Sequence, residues 1–314
     1  MGEAYCTDAD DTCFIPIVPM AFVSYGSPQA CLGCRELPGA CARLDSPPAL
    51  RSAVWFRDTA RMDGKIIGGL VSVTFRKLSC ERVVALAAEA GLSAIEWGGD
   101  VHVPHGDVER ARTTRRICED AGIRVSGYGS YYRVGAAAEL DVRRVIETAE
   151  ALGTTSIRVW AGGKGSSVAT PLERKEIEDD LRRVCGLAAV AGMTIDLEYH
   201  GGTLTDSADS TRALLRGIEQ PNLRTYWQPR HGDGVESGVS DLHRLGPWLG
   251  NLHVFHWWPD PSTRLPLAEG ADRWRRYLWA APGTERFALL EFVRGDDEQQ
   301  FLRDAATLRS LLAE

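Results

Sequence analysis

Two hydrophobic patterns alternate along most of the chain. Short runs rich in β-branched and aromatic residues, such as TTSIRVW (154–160), MTIDLEY (193–199) and LRTYW (223–227), are separated by longer segments that read as helices. Four of the helical segments end on glycine: AAEAG at Gly91, CEDAG at Gly122, EALG at Gly153 and AVAG at Gly192, spaced 31, 31 and 39 residues apart. Each glycine is followed at once by a strand-like run. This spacing suits one βα unit per repeat, with glycine in the left-handed position that closes each helix.

Counting outward from the repeats gives eight strands. IIGGLVSVTF (66–75), LSAIEW (92–97) and IRVSGY (123–128) precede the three runs above, and NLHVF (251–255) and RFALLEF (286–292) follow them. Ser79 is placed to cap the helix CERVVALAAEA, and a last helix runs from about Glu298 to Leu312. Eight βα units in about 250 residues predict an α/β fold of the (β/α)8 TIM barrel type. A doubly wound open sheet is the rival, but no GxGxxG follows the first strand.

The first 61 residues stand apart. They show no sustained period and are rich in proline, and they hold five of the eight cysteines. We expect an irregular or disordered N-terminal extension over 1–61 and the barrel over 62–314. Cys31, Cys34 and Cys41 offer thiolates for a structural zinc, but a CxxC without a second pair is a weak signal.

Composition narrows the function classes. At 314 residues, 44% hydrophobic and 25% charged, the chain can bury one large core without disulfides. A net charge of −7 argues against nucleic acid as the main partner, since phosphate neutralisation needs a basic face. No apolar run is long enough to cross a membrane, and the acidic start MGEAYCTDADD does not read as a secretory signal. The expected compartment is cytoplasmic. A homo-oligomer is compatible with all of this.

Four polar residues at or near the ends of late strands carry the chemistry: Glu198 in IDLEYHGG, Gln228 in RTYWQP, His253 in NLHVF and Glu291 in FALLEFV. In a parallel barrel the C-terminal strand ends converge, so two carboxylates, an imidazole and an amide oxygen would meet as a divalent-metal site. Any one of them alone could be a core residue satisfied by packing or an ion pair. Strand placement favours the joint reading.

Further candidates surround them. His102 and His105, in the loop after the second strand, could contact substrate or share a metal. Lys164, in the Gly/Ser loop AGGKGSS, could hold a phosphate or carboxylate or simply be solvated. Arg158 should point into the pocket or pair with a carboxylate there. Trp160 and Trp257 are candidate walls for the apolar face of a sugar, and His231 and His256 are candidate substrate contacts or ligands.

The motifs EYHGGTLTD, YWQPRH, LHVFHW and LLEFV, with SVTFR and IEWGGDVHVPHGD, resemble the xylose isomerase-like TIM barrels over roughly residues 65–314. That superfamily includes sugar isomerases, ketose and inosose epimerases, related dehydratases and endonuclease IV. The resemblance implies one divalent ion (Mn2+, Mg2+ or Co2+ in preference to Zn2+) held by Glu198, Gln228, His253 and Glu291. Gln228 stands where the family has aspartate, which implies weaker metal binding because an amide brings no charge. The implied activity is isomerisation or epimerisation of a sugar, sugar acid or cyclitol, with Glu198 and Glu291 as base and acid on the two faces of an enediolate. A lyase or dehydratase, including one that cleaves a C-glycoside by β-elimination, uses the same site. A non-catalytic barrel subunit and a DNA-repair endonuclease are weaker alternatives. The expected partner is a small carbohydrate-like molecule.

Overall fold

In the computed structural model, residues 65–136 and 141–314 are described; the proposed extension and Cys31, Cys34 and Cys41 lie outside them. Eight parallel strands close in sequence order: β1 (Ile66–Val71), β2 (Ala94–Gly98), β3 (Arg124–Arg133), β4 (Ser156–Trp160), β5 (Thr194–Leu197), β6 (Leu223–Trp227), β7 (Leu249–Val254) and β8 (Arg286–Leu290). The outer ring is α1 (Cys80–Glu89), α2 (Val108–Asp120), α3 (Val142–Leu152), α4 (Pro171–Val190), α5 (Ala208–Ile218), α6 (Val235–Leu245), α7 (Ala271–Ala280) and α8 (Glu298–Ala313). This is the expected (β/α)8 barrel. None of the described helices is long and apolar enough to cross a membrane.

Local signals set the elements. Ser79 accepts a hydrogen bond from the Arg82 amide at the start of α1, and Thr170 and Glu173 form a reciprocal capping box at the start of α4. Gly153 takes φ 77° at the end of α3, and Gly91, Gly122 and Gly192 are likewise left-handed. The repeat glycines thus turn each chain from helix into strand. One boundary differs from expectation: β1 ends at Val71, and Ser72–Phe75 forms a 3-10 turn whose Thr74 hydroxyl accepts from the Phe292 amide.

The core lies between the barrel and the helices, with Trp97, Trp227, Trp274, Tyr128 and Phe301 among its largest fully buried side chains. Inside the barrel, strand alternation stacks side chains in layers. Near the N-terminal end, Ser156 donates to Asp196, and Asn251 donates to Tyr226, whose hydroxyl also meets Ser156. Two residues further along the same strands come Arg158, Glu198, Gln228 and His253. The layer nearer the mouth is therefore the richer in ionisable groups, with Arg158, Glu198 and His253 against Asp196 in the deeper one.

Candidate metal centre

Three groups that can bind metal converge at the C-terminal end of the barrel. Ligand atoms of Glu198, His253 and Glu291, all buried, lie within 4.8 Å of one another. His253 Nδ1 is 3.3 Å from Glu291 Oε2 and 3.7 Å from Glu198 Oε1. Gln228 Oε1 is 3.2 Å from the same nitrogen. Glu198, Gln228 and Glu291 each come one residue after the end of a strand, so backbone pairing fixes where they emerge. Two carboxylates, one imidazole and one amide oxygen around a common point suit a hard or borderline divalent ion.

The two glutamates are held differently. Glu198 Oε2 accepts from Arg158 Nη1 and Trp160 Nε1, which leaves Oε1 toward His253. Burial alone would raise its pKa, but Arg158 and then His253 outweigh that and hold the carboxyl below its usual range. The Glu291 carboxylate ion-pairs, among the described residues, only with His253. Burial likewise pulls His253 toward neutrality, yet Glu291 and Glu96 raise it to about 10. The imidazolium thus provides positive charge among the carboxylates.

Behind these groups lies a residue pair half legible in the sequence. Arg158 Nε donates to Glu96 Oε1 at 2.8 Å, both side chains are fully buried, and the same guanidinium reaches Glu198. The expectation for Arg158 agrees with this placement; Glu96, in the strand run IEW, was not singled out. Gly129 on β3 makes room for the pair, and Gly127 for the Tyr226 hydroxyl, which a Cβ would approach to 2.6 Å. A Cβ at Gly129 would lie 2.6 Å from Arg158 Nη2 and 2.9 Å from Glu96 Oε1.

The rim is aromatic. The Trp160 ring stacks on His200 at 5.5 Å, lies under Arg133 at 3.9 Å and meets Tyr131 edge-on. On the other side His231 lies parallel to Trp257 at 5.3 Å, and Trp257 Nε1 donates to the Phe292 carbonyl. Tyr131 and Phe292 both have positive φ, 55° and 46°, a strained backbone of the kind that clusters at functional sites. Burial pushes the Tyr131 phenol up to about 12, so its hydroxyl stays neutral, and the Arg158 guanidinium lies 5.5 Å from the centre of its ring. Tyr131, Arg133 and His200 are mouth residues that sequence patterns did not single out, although His200 stands inside the EYHGG motif.

Four expected substrate contacts are placed elsewhere. The His102 ring is buried, with Nδ1 3.0 Å from Ser72 Oγ and Nε2 3.2 Å from the Leu78 carbonyl, so both nitrogens are used by the loop it holds. His105 Nδ1 meets the Tyr128 hydroxyl at 2.7 Å. Lys164 pairs with Glu173 at the α4 cap and is 60% exposed. The His256 ring packs against Gly270, on the opposite side of the strand direction from His253, because residues three apart on an extended chain face opposite ways. His102→Ala should therefore lower the melting temperature by roughly 4–8 °C, the scale of an unpaired buried hydroxyl and lost packing, without changing KM. A raised KM at unchanged stability would instead make it a substrate contact.

A family model described as xylose isomerase-like TIM barrel matches residues 84–311. A 3-dehydroshikimate dehydratase from Bacillus anthracis is 29% identical over 258 residues, 71% of this chain and 89% of that protein. A solved structure from the same organism, described as the probable 3-DHS dehydratase involved in petrobactin synthesis, superposes with a TM-score of 0.66 at 25% identity, covering 78% of this chain and 98% of the other. The 3-keto-D-glucoside 4-epimerase of E. coli superposes with a TM-score of 0.60 at 16% identity, covering 80% of this chain and 100% of the other, a likeness of fold alone.

Proposed function

The chain belongs to the xylose isomerase-like TIM barrel family, and from that premise we propose that it is a divalent-metal-dependent lyase that removes water from a hydroxylated ketone of the dehydroshikimate type. The observation that carries this reading is the asymmetry of the two glutamates. An epimerase with a proton carrier on each face needs two carboxylates free to change protonation, whereas elimination of water needs only one. Glu198 is committed to Arg158 and Trp160 and held ionised; among the described residues Glu291 pairs only with His253.

Glu198, His253 and Glu291, with Gln228, would hold the ion, and the ion when bound supplies positive charge beside the substrate carbonyl. Glu291 takes the proton from the carbon next to that carbonyl, and the C–H electron pair moves into the carbon framework. The β-hydroxyl then leaves with the C–O electrons, takes the proton back from Glu291 and departs as water. The glutamate ends as it began. Trp160 and Tyr131 on one side and Trp257 on the other wall the ring, and these half-buried aromatic faces limit the access of bulk water to the transferred proton. The 29% identity to a dehydratase over most of that protein's length supports the same choice.

Mass spectrometry in deuterium oxide separates the readings. The enzyme, with Mn2+, Mg2+ or Co2+, is given 3-dehydroshikimate and a panel of ketoses, keto acids and cyclitols. We expect a product lighter by one water from a substrate of the first kind. A product of unchanged formula that carries carbon-bound deuterium would establish an epimerase or isomerase instead.

A further inference from the structure

Among the described residues, three buried polar atoms beside the cluster, His253 Nε2, Glu96 Oε2 and Arg158 Nη2, lack hydrogen-bond partners. His253 Nε2 lies on the side of the ring away from Gln228 and faces the Glu96 carboxylate, and among the described residues neither it nor Glu96 Oε2 has a hydrogen-bond partner. The shortest approach of the two groups is 3.8 Å, between Nε2 and Glu96 Oε1. Both side chains are essentially fully buried, so no exposed water competes for either. A buried donor and a buried acceptor left unsatisfied on neighbouring side chains are costly unless they serve each other in the working state of the site.

We propose that Glu96 is the positioning residue of the site: it receives the His253 Nε2 proton and so fixes the tautomer whose Nδ1 lone pair points at the metal position. This rests on the metal-site reading above. Arg158 makes the arrangement tenable, because its guanidinium donates to Glu96 and reaches Glu198, neutralising charge that would otherwise sit uncompensated in the barrel. One cation thereby ties the residue that orients the imidazole to the carboxylate opposite it. Gly129 follows from the same requirement, since a side chain there would occupy the space of the pair. Carboxylates placed behind a metal-binding imidazole typically change affinity by 10- to 100-fold when removed.

The test reads metal binding and tautomer, not turnover. In wild-type protein loaded with Mg2+, nitrogen-15 NMR of His253 should show the proton on Nε2 and none on Nδ1. Mn2+ affinity, read from the free-ion EPR signal, should fall 10- to 100-fold in Glu96→Leu and return to within about threefold of wild type in Glu96→Gln, whose amide oxygen still accepts the proton. Should Glu96→Leu fail to fold, Glu96→Gln decides: its Nε2 proton resonance should shift because a neutral acceptor replaces a charged one. An unchanged resonance, Glu96→Leu binding Mn2+ within twofold of wild type, or a wild-type proton on Nδ1 would each overturn the inference. Wild-type protein that binds neither ion overturns it together with the metal-site reading, whereas wild-type binding with no Glu96 effect overturns it alone.

Discussion

Glu291→Gln should lower turnover by about 10²-fold or more, and no concentration of added metal should restore it. The substitution keeps the shape and an oxygen that can still approach a cation, but removes the group that takes the proton. Exchange of the substrate's α-proton with solvent deuterium should stop with it. Glu198→Gln should also lower turnover by about 10²-fold, for a different reason: Arg158 and Trp160 lose the anion they hold, and the metal loses a charged ligand. Excess metal should therefore recover a substantial part of its activity. Steady-state rates of both variants across a Mn2+ titration, with α-proton exchange followed by NMR, make the comparison. Equal recovery of both by metal would mean that the two glutamates are ligands only. Continued exchange in Glu291→Gln would move the base to Glu198.

Chelation should abolish activity, and the affinity behind that loss should depend steeply on pH. One divalent ion per chain is expected in protein purified without chelator, and none in the Glu198→Gln/Glu291→Gln double variant. A metal must displace the proton on His253, whose pKa is raised to about 10 by Glu291 and Glu96 against the opposing effect of burial. Apparent Mn2+ affinity should then rise about tenfold per pH unit through the neutral range and level off toward pH 10. The metal-free protein runs the other way. Its imidazolium is favoured by folding, so that stabilisation is complete below the unfolded value near 6.5 and is lost as pH rises through about 10. Melting curves with and without Mn2+ across this window should diverge with rising pH. Gln228→Asp should bind Mn2+ more tightly than wild type, since a carboxylate adds the charge that the amide lacks. Parallel curves, or weaker binding by Gln228→Asp, would remove His253 or Gln228 from the ligand set.

How far the site could be read in advance depended on what kind of order placed each residue. Glu198, Gln228, His253 and Glu291 were legible because a barrel strand has one inward face and one C-terminal end, so position along the strand specifies position in space. Arg158 was legible for the same reason. Glu96 lies on β2 in the same layer, but a glutamate in an apolar run looks alike whether it faces a cation or a helix. Its partner, Arg158, is 62 residues away. The loop residues were the least predictable. His102, His105, Lys164 and His256 belong to segments whose path is set by Ser72, Tyr128, Glu173 and Gly270, not by any period in their own sequence.

The sequence by itself determined the number and order of βα units, the glycines that turn each helix into the next strand, and the four strand ends where polar groups emerge. These depend on local conformation and on a periodicity of two or 3.6 residues, both of which act over a few neighbours. Only the tertiary structure decided that Arg158 binds Glu96 and Glu198 together, that Glu291 keeps a carboxylate with no such tether among the described residues, and that Tyr131 and Arg133 join Trp160 at the mouth. Those facts depend on which charges share a low-dielectric interior, and closing the barrel is what brings them within range of one another.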